Sequence, residues 1–237
     1  EEGSDSEFLS LTKEYAEAAR EGVKLSGREG VRIAGSLPPL DSSYRFDLTP
    51  DDDTLRSVYT SMAQALVDGG ADLLLCETMS SLREAKGALS AALTTGQQVW
   101  VAFTLDETPG TPKLKSGEML EDAAREVAAM GASAVLVNCC PPEIISAAMP
   151  VLKDCGVPFG GYAHAFELFE SKSFSHGVIR DLRMLTPEDY AGFTEGWIRG
   201  GATIVGGCCG CGPAHIKAVS EYRLRSEKLE GPVPEIL

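Results

Sequence analysis

The chain has 237 residues, 43% of them hydrophobic and 24% charged, enough for one domain with a sizeable core over residues 1–237. A net charge of -14 and a pI near 4.7, with no Lys/Arg stripe, exclude nucleic acid and anionic membranes as expected partners. No apolar run approaches the ~18 residues of a membrane span, and the acidic N-terminus does not read as a signal peptide, so a cytoplasmic location is expected.

Residues 4–24 carry a helical pattern in which Ser4 and Glu7 have capping-box spacing and Phe8, Leu11, Tyr15, Ala18 and Ala19 share a face. Gly27 and Gly30 bracket a turn into a short strand over 31–35. The proline-rich stretch that follows, residues 36–45, reads as a long loop at that strand's C-terminal end, a common place for substrate contacts. Thr49-Pro50-Asp51-Asp52 supplies an N-cap, a proline at the first helical position and first-turn acids, predicting a helix to about Asp68. Strand 73–76 then ends at Glu77-Thr78, and a helix covers 81–93. Strand 99–103 leads to Thr104 and a polar loop over 106–117, expected to be mobile, before a helix over 118–130. An apolar strand over 134–137 delivers Asn138-Cys139-Cys140 and is followed by a helix over 142–153.

The strand over 158–162 is weaker, and its glycines imply that something approaches the backbone closely. Residues 163–185 read as a long loop carrying His164, Glu167 and His176. Thr186-Pro187-Glu188-Asp189 repeats the helix-start signal, and that helix runs through Trp197. A last strand, Ala202-Thr203-Ile204-Val205, delivers Gly206-Gly207-Cys208-Cys209-Gly210-Cys211-Gly212 to a final helix from Pro213. The tail, residues 231–234, is expected to be loosely packed. Strand, loop and helix recur about every 30 residues, which calls for a parallel sheet with right-handed crossovers. About six strands follow an orphan helix, where a full barrel needs eight and ~250 residues. The fold class is therefore α/β, a TIM-type (β/α) barrel, incomplete, with its first two strands missing.

In such folds the active site lies at the C-terminal ends of the strands. The residues there are Ser36, Glu77, Thr104, Asn138 with Cys139, Tyr162, and Cys208 with Cys209. Seven cysteines, grouped rather than spread, favour metal binding or catalysis over structural disulfides. Cys76 and Cys155 read as packing residues. Three thiolates suit a tetrahedral Zn²⁺ with its fourth position open, as in a catalytic rather than a structural site. Cys140, Cys211, His164 and His215 are weighed as a fourth ligand. A zinc carrying three thiolates is a poor generator of hydroxide but well suited to keeping a substrate thiol nucleophilic near pH 7. Alkylation of a small thiol is the reaction this favours, with Glu77 holding a positive substrate group; the alternative for Glu77 is an ion pair with a nearby Lys or Arg.

Asn138-Cys139 after an apolar strand, with Gly206-Gly207-Cys208-Cys209-Gly210, resembles the homocysteine S-methyltransferase family. Ala34-Gly35-Ser36-Leu37-Pro38-Pro39, Asp72-Leu73-Leu74-Leu75-Cys76-Glu77-Thr78 and Gly212-Pro213-Ala214-His215-Ile216 extend the resemblance over nearly the whole chain. It implies an α/β barrel, zinc held by Cys139, Cys208 and Cys209, and methyl transfer from a sulfonium or related donor to homocysteine, giving methionine; S-methylmethionine and S-adenosylmethionine are the sulfonium-type donors expected, and a betaine-like compound stays open. Glu77 matches a family acid near the amino-acid substrate, and Thr78, Asn138 and Ser36 fall beside it as substrate-binding candidates. The family's glycine-rich first strand and its second strand have no counterpart here. His164 stands where Asn is expected, and Cys211 where Thr or a bulkier residue is usual.

Two other readings come from different classes. One is a truncated, non-catalytic homologue that binds zinc or a partner chain; the other is a thiol redox protein using Cys208 and Cys211, which have Cys-x-x-Cys spacing before a helix. Homocysteine and a methyl donor are the expected small-molecule partners, and self-association as a homo-oligomer is left open.

Overall fold

The structure, a computed structural model, describes residues 2–108, 110–166, 184–226 and 234–237. Glu167 and His176 lie outside the described residues. Helix α1 (Glu2–Ser26) precedes an alternation of strands and helices: β1 (Ala34–Leu37), α2 (Asp52–Asp68), β2 (Leu73–Met79), α3 (Leu82–Leu93), β3 (Val99–Phe103), α4 (Leu120–Met130), β4 (Ala134–Asn138), α5 (Pro142–Leu152), β5 (Phe159–Ala163), α6 (Pro187–Arg199), β6 (Ile204–Gly207), α7 (Pro213–Ser226) and β7 (Glu235–Ile236). All seven strands are parallel and lie in sequence order from β1 to β7. The result is an incomplete TIM-type barrel. No helix among the described residues is long and apolar enough to cross a membrane.

Period-two alternation sorts each strand's side chains between two cores. Leu73, Leu75, Trp100, Ala102, Ala134, Leu136, Tyr162 and Ile204 point into the barrel, joined by Ala34 and Leu237 from the two edges. Leu74, Cys76, Val99, Val101, Phe103, Val135 and Val137 point outward into the layer covered by the helices. Continuing the inward rows one step towards the strand ends gives Ser36, Glu77 and Asn138, and two steps beyond Ile204, past Gly206, gives Cys208. The rows that are apolar in the barrel's middle thus become polar at its mouth.

Several expectations are met closely. Thr186 caps α6, accepting the Asp189 N–H at 3.1 Å, and the helix expected over 81–93 is α3, with Ser81 at its N-cap. Cys76 and Cys155 are buried packing residues. The close approach implied by the glycines of β5 is made by the next strand: a Cβ on Gly160 would lie 1.7 Å from the Ile204 carbonyl oxygen.

Others are corrected. Helix α1 is already under way at Glu2, so Ser4 is inside it rather than capping it. Its inward face is Ala16 with Leu9, whereas Phe8, Leu11 and Tyr15 are exposed. The helix packs on α2, and Leu9 and Ala16 turn inward rather than the larger aromatic stripe. Asp51, not Thr49, caps α2, accepting the Thr54 N–H at 2.9 Å. The polar loop after β3 is a folded hairpin in its described residues: Leu105 and Leu114 pair across it and are both fully buried. Beyond the stretch expected to be loosely packed, residues 235–236 form a seventh strand, pairing Glu235 with Ile204 and Ile236 with Val205.

Candidate thiol-cluster site

Three thiols meet at the mouth. The Sγ atoms of Cys139, Cys208 and Cys209 all lie within 4.8 Å of one another, with Cys139 and Cys209 at 3.6 Å. Cys139 follows β4, and its backbone N–H donates to the Tyr162 carbonyl at 3.2 Å. Cys208 follows β6, and its N–H donates to Ala163 at 2.8 Å; the Ala165 N–H in turn donates to the Cys209 carbonyl at 2.8 Å. The sheet's own ladder therefore carries the thiols inward from two strand ends. Gly210 turns the chain away at φ +78°, where a Cβ would meet Met184 at 2.8 Å and Phe166 at 2.9 Å.

The cluster shares its protons unevenly. The Cys139 thiol is drawn down to about 6, first by hydrogen bonding with Cys208 and further by the Tyr44 hydroxyl and Cys209, against the cost of burial. Cys208 moves in the opposite sense, because a negative Cys139 beside it and burial both disfavour a second thiolate. Cys209 is also raised, first by burial. This is a donor set that places negative charge on one sulfur and is ready to place more once a cation neutralises it.

Beside the thiols stands a carboxylate. Glu77 accepts the Ser36 hydroxyl at 2.6 Å and the Tyr162 hydroxyl at 2.9 Å. The second bond spans the barrel from β2 to β5. Burial first, and then the Glu77 carboxylate, hold the Tyr162 phenol well above its usual range, so it stays protonated and donates. No Lys or Arg among the described residues pairs with Glu77. Asn138, fully buried, fixes the neighbouring backbone: its Oδ1 accepts the Thr78 N–H at 2.9 Å and its Nδ2 donates to the Thr78 hydroxyl at 3.0 Å. Thr78 sits at φ +60° in a bulge, since β2 takes three steps from Cys76 to Met79 while β3 takes two from Val101 to Phe103. Among the described residues the non-glycine positions at positive φ are Tyr44, Thr78 and Cys139. All of them are at this mouth.

The other weighed residues stand apart. Cys140 is fully buried in the helix-side core, and burial pushes its thiol up to about 12. The Cys211 Sγ lies 3.7 Å from the Ala163 carbonyl oxygen and is outside the three-thiol group. His164 is 6% exposed, its Nδ1 accepting the Phe166 N–H at 3.3 Å, and burial lowers it to about 4. His215 accepts the Gly212 N–H at 3.1 Å, lies 3.0 Å from the Leu185 carbonyl and packs edge-on against Tyr190. The hydroxyl of Thr104 is buried without a partner.

Two residues matter here that sequence reasoning did not single out. The Tyr44 hydroxyl lies 2.9 Å from the Cys139 Sγ and 3.3 Å from its carbonyl oxygen. Glu84, 3% exposed on α3, ties down the loop that carries Tyr44: it accepts from the Leu40 N–H at 2.9 Å, the Thr49 hydroxyl at 3.0 Å and the Tyr59 hydroxyl at 3.1 Å. The only sequence signal for Glu84 was its place in the first turn of a helix, and that signal is normally satisfied at the surface.

Comparison with known proteins gives the family. The homocysteine S-methyltransferase family model matches residues 1–223. The Bacillus subtilis homocysteine S-methyltransferase YbgG is 27% identical over 80% of this chain, and the Escherichia coli homocysteine S-methyltransferase is 28% identical over 92% of it. The alignments span 61% and 72% of those two proteins respectively. The metallated form of the E. coli homocysteine methyltransferase MmuM superposes with a TM-score of 0.73 at 24% identity, covering 92% of this chain and 72% of that one. A match across nearly the full chain, on a barrel of the same kind, places this protein in the homocysteine S-methyltransferase family.

Proposed function

We propose that this chain methylates the thiol of homocysteine, giving methionine, at a zinc site formed by Cys139, Cys208 and Cys209. The observation that carries the reading is the meeting of three thiols within 4.8 Å beside an acid that has no basic partner among the described residues. The donor set fits zinc: three soft ligands converge from two strand ends, one of them already inclined to ionise, and three protein ligands would leave a bound zinc able to take a substrate thiol. When bound, zinc lowers the pKa of an incoming thiol and keeps it nucleophilic near neutral pH. Glu77, with one oxygen on Ser36 and the other on Tyr162, is oriented to take the substrate ammonium on its remaining lone pairs. Asn138 holds Thr78 and the β2 bulge in place, so the carboxylate and the thiols keep a fixed relation. The homocysteine thiol gives its proton to solvent and its sulfur then attacks the methyl carbon of a sulfonium donor in line; its S–C bond forms as the donor's breaks, and the donor leaves as a neutral thioether. S-methylmethionine and S-adenosylmethionine both satisfy this chemistry. The chain acts in the cytoplasm on this reading.

The test is zinc content per chain for the wild type and Cys208→Ser, followed by methionine formation from homocysteine with each donor. We expect about one zinc in the wild type, little in the variant, and turnover that disappears with the metal. Zinc that binds through the same cysteines without turnover from either sulfonium would replace this reading with that of a non-catalytic metal-binding homologue.

A further inference from the structure

Tyr44 is held against the cluster from both sides. Its backbone adopts φ +70°, a conformation that costs a bulky side chain on the order of 1–3 kcal/mol and persists only where surroundings enforce it. Its loop is anchored through Leu40 and Thr49 to the buried Glu84, and through the Pro38 carbonyl, which accepts the Tyr59 hydroxyl at 2.9 Å. From the hairpin after β3, Lys115 places its Nζ 5.0 Å from the centre of the Tyr44 ring; the Lys115 side chain is 19% exposed and also pairs with Glu107 at 3.5 Å. The outer edge of the tyrosine ring reaches solvent, but its hydroxyl is turned in, 2.9 Å from the Cys139 Sγ.

The chemistry of the mouth gives that hydroxyl a task. Three thiolates and Glu77 crowd one small region with negative charge, and a dication offsets only half of it. A thiolate only accepts hydrogen bonds, and a phenol that stays protonated can give it one. We infer that Tyr44 is a positioning residue of the thiol cluster, whose O–H donates to the Cys139 sulfur when metal is bound and limits how much charge that sulfur passes to the metal. This rests on the metal-site reading proposed above. Partners of this kind orient metal ligands and tune them, and their removal typically weakens metal binding ~10–100-fold.

The experiment loads the full chain with Co²⁺ as a spectroscopic probe and compares wild type, Tyr44→Phe, Lys115→Met and Cys208→Ser. Tyr44→Phe deletes one oxygen from a ring whose edge is already solvated, and circular dichroism checks that the fold is kept. We expect its sulfur-to-cobalt charge-transfer band at longer wavelength than in wild type, because a thiolate without its hydrogen bond gives up an electron more easily. Zinc affinity, measured against a competing chelator, is expected to fall at least ~10-fold. Lys115→Met, which leaves the hydroxyl in place, should shift the band less. An unmoved band and a zinc affinity within about twofold of wild type in Tyr44→Phe would overturn the inference while leaving the metal site standing. A larger shift in Lys115→Met than in Tyr44→Phe would overturn it too, by assigning the effect to the cation. Failure of the wild type to take up cobalt at all would remove both readings together.

Discussion

The two ends of this barrel are built from different materials. At the strand starts the chain relies on ordinary partly exposed ion pairs: Arg20 meets Asp72 at 2.8 Å, Asp72 accepts the Ile33 N–H at 2.7 Å, and Arg32 reaches Glu235 of β7 at 3.4 Å while lying over the Trp100 ring. At the strand ends it uses left-handed backbone at non-glycine residues, a buried carboxylate, buried neutral imidazole and converging thiols. The first set is replaceable, since exposed pairs rarely contribute more than ~1 kcal/mol each. The second is interdependent: each strained residue is held by a polar partner that is itself buried. Stability at the mouth is thus committed to holding geometry that the bare backbone would not choose.

Breaking that arrangement at its anchor should have the largest effect. Glu84→Ala leaves the Leu40 N–H and the Thr49 hydroxyl without their acceptor and the Tyr59 hydroxyl with the Pro38 carbonyl alone, and we expect unfolding in urea to show a loss of about 2–4 kcal/mol. Glu84→Gln, which keeps an acceptor oxygen, should lose less than half of that. A loss below ~1 kcal/mol in Glu84→Ala would mean that the loop over residues 36–51 does not depend on this carboxylate.

The buried imidazole gives a second, pH-dependent contrast. Burial lowers His164 to about 4, so between about pH 6.5 and 4 the unfolded chain binds a proton there that the folded chain does not. Stability should therefore decline on acidification through that window, by on the order of 2–3 kcal/mol, and the contribution should level off below about pH 4. Measured in the presence of EDTA, His164→Asn should flatten the profile in that window relative to wild type. Parallel profiles for the two proteins would count against a buried neutral imidazole.

At the opposite end the same logic predicts little. Arg32→Ala removes the pair with Glu235 and the hydrogen bond to Gln98, yet both charged partners are substantially exposed, and the expected loss is under about 1 kcal/mol. A larger loss would mean that this link between β7 and the approach to β1 does more to hold the sheet's curl than an exposed pair can.

What the sequence determined by itself was whatever local chemistry repeats. The strand-loop-helix period gave the parallel sheet, the Thr186 signal gave a helix start, and position at the strand ends put Glu77, Asn138 with Cys139, and Cys208 with Cys209 at one mouth. Glycine flanking Cys208 and Cys209 marked them as a turn that presents thiols rather than as core. Other features depend on contacts between segments distant in the chain, and no periodicity encodes those. The face of α1 that turns inward was decided by its packing on α2, so Ala16 is buried and the larger Phe8, Leu11 and Tyr15 are not. The seventh strand exists because Glu235 and Ile236 find an open edge on β6; two residues carry no strand signal of their own. Tyr44 and Glu84 read as a loop aromatic and a helix-start acid. Only the tertiary fold brings a hydroxyl across 95 positions to the Cys139 sulfur and closes a buried carboxylate around the loop that delivers it. Backbone pattern is local and legible, whereas a hydrogen bond between side chains on different strands is decided by the curl of the whole sheet.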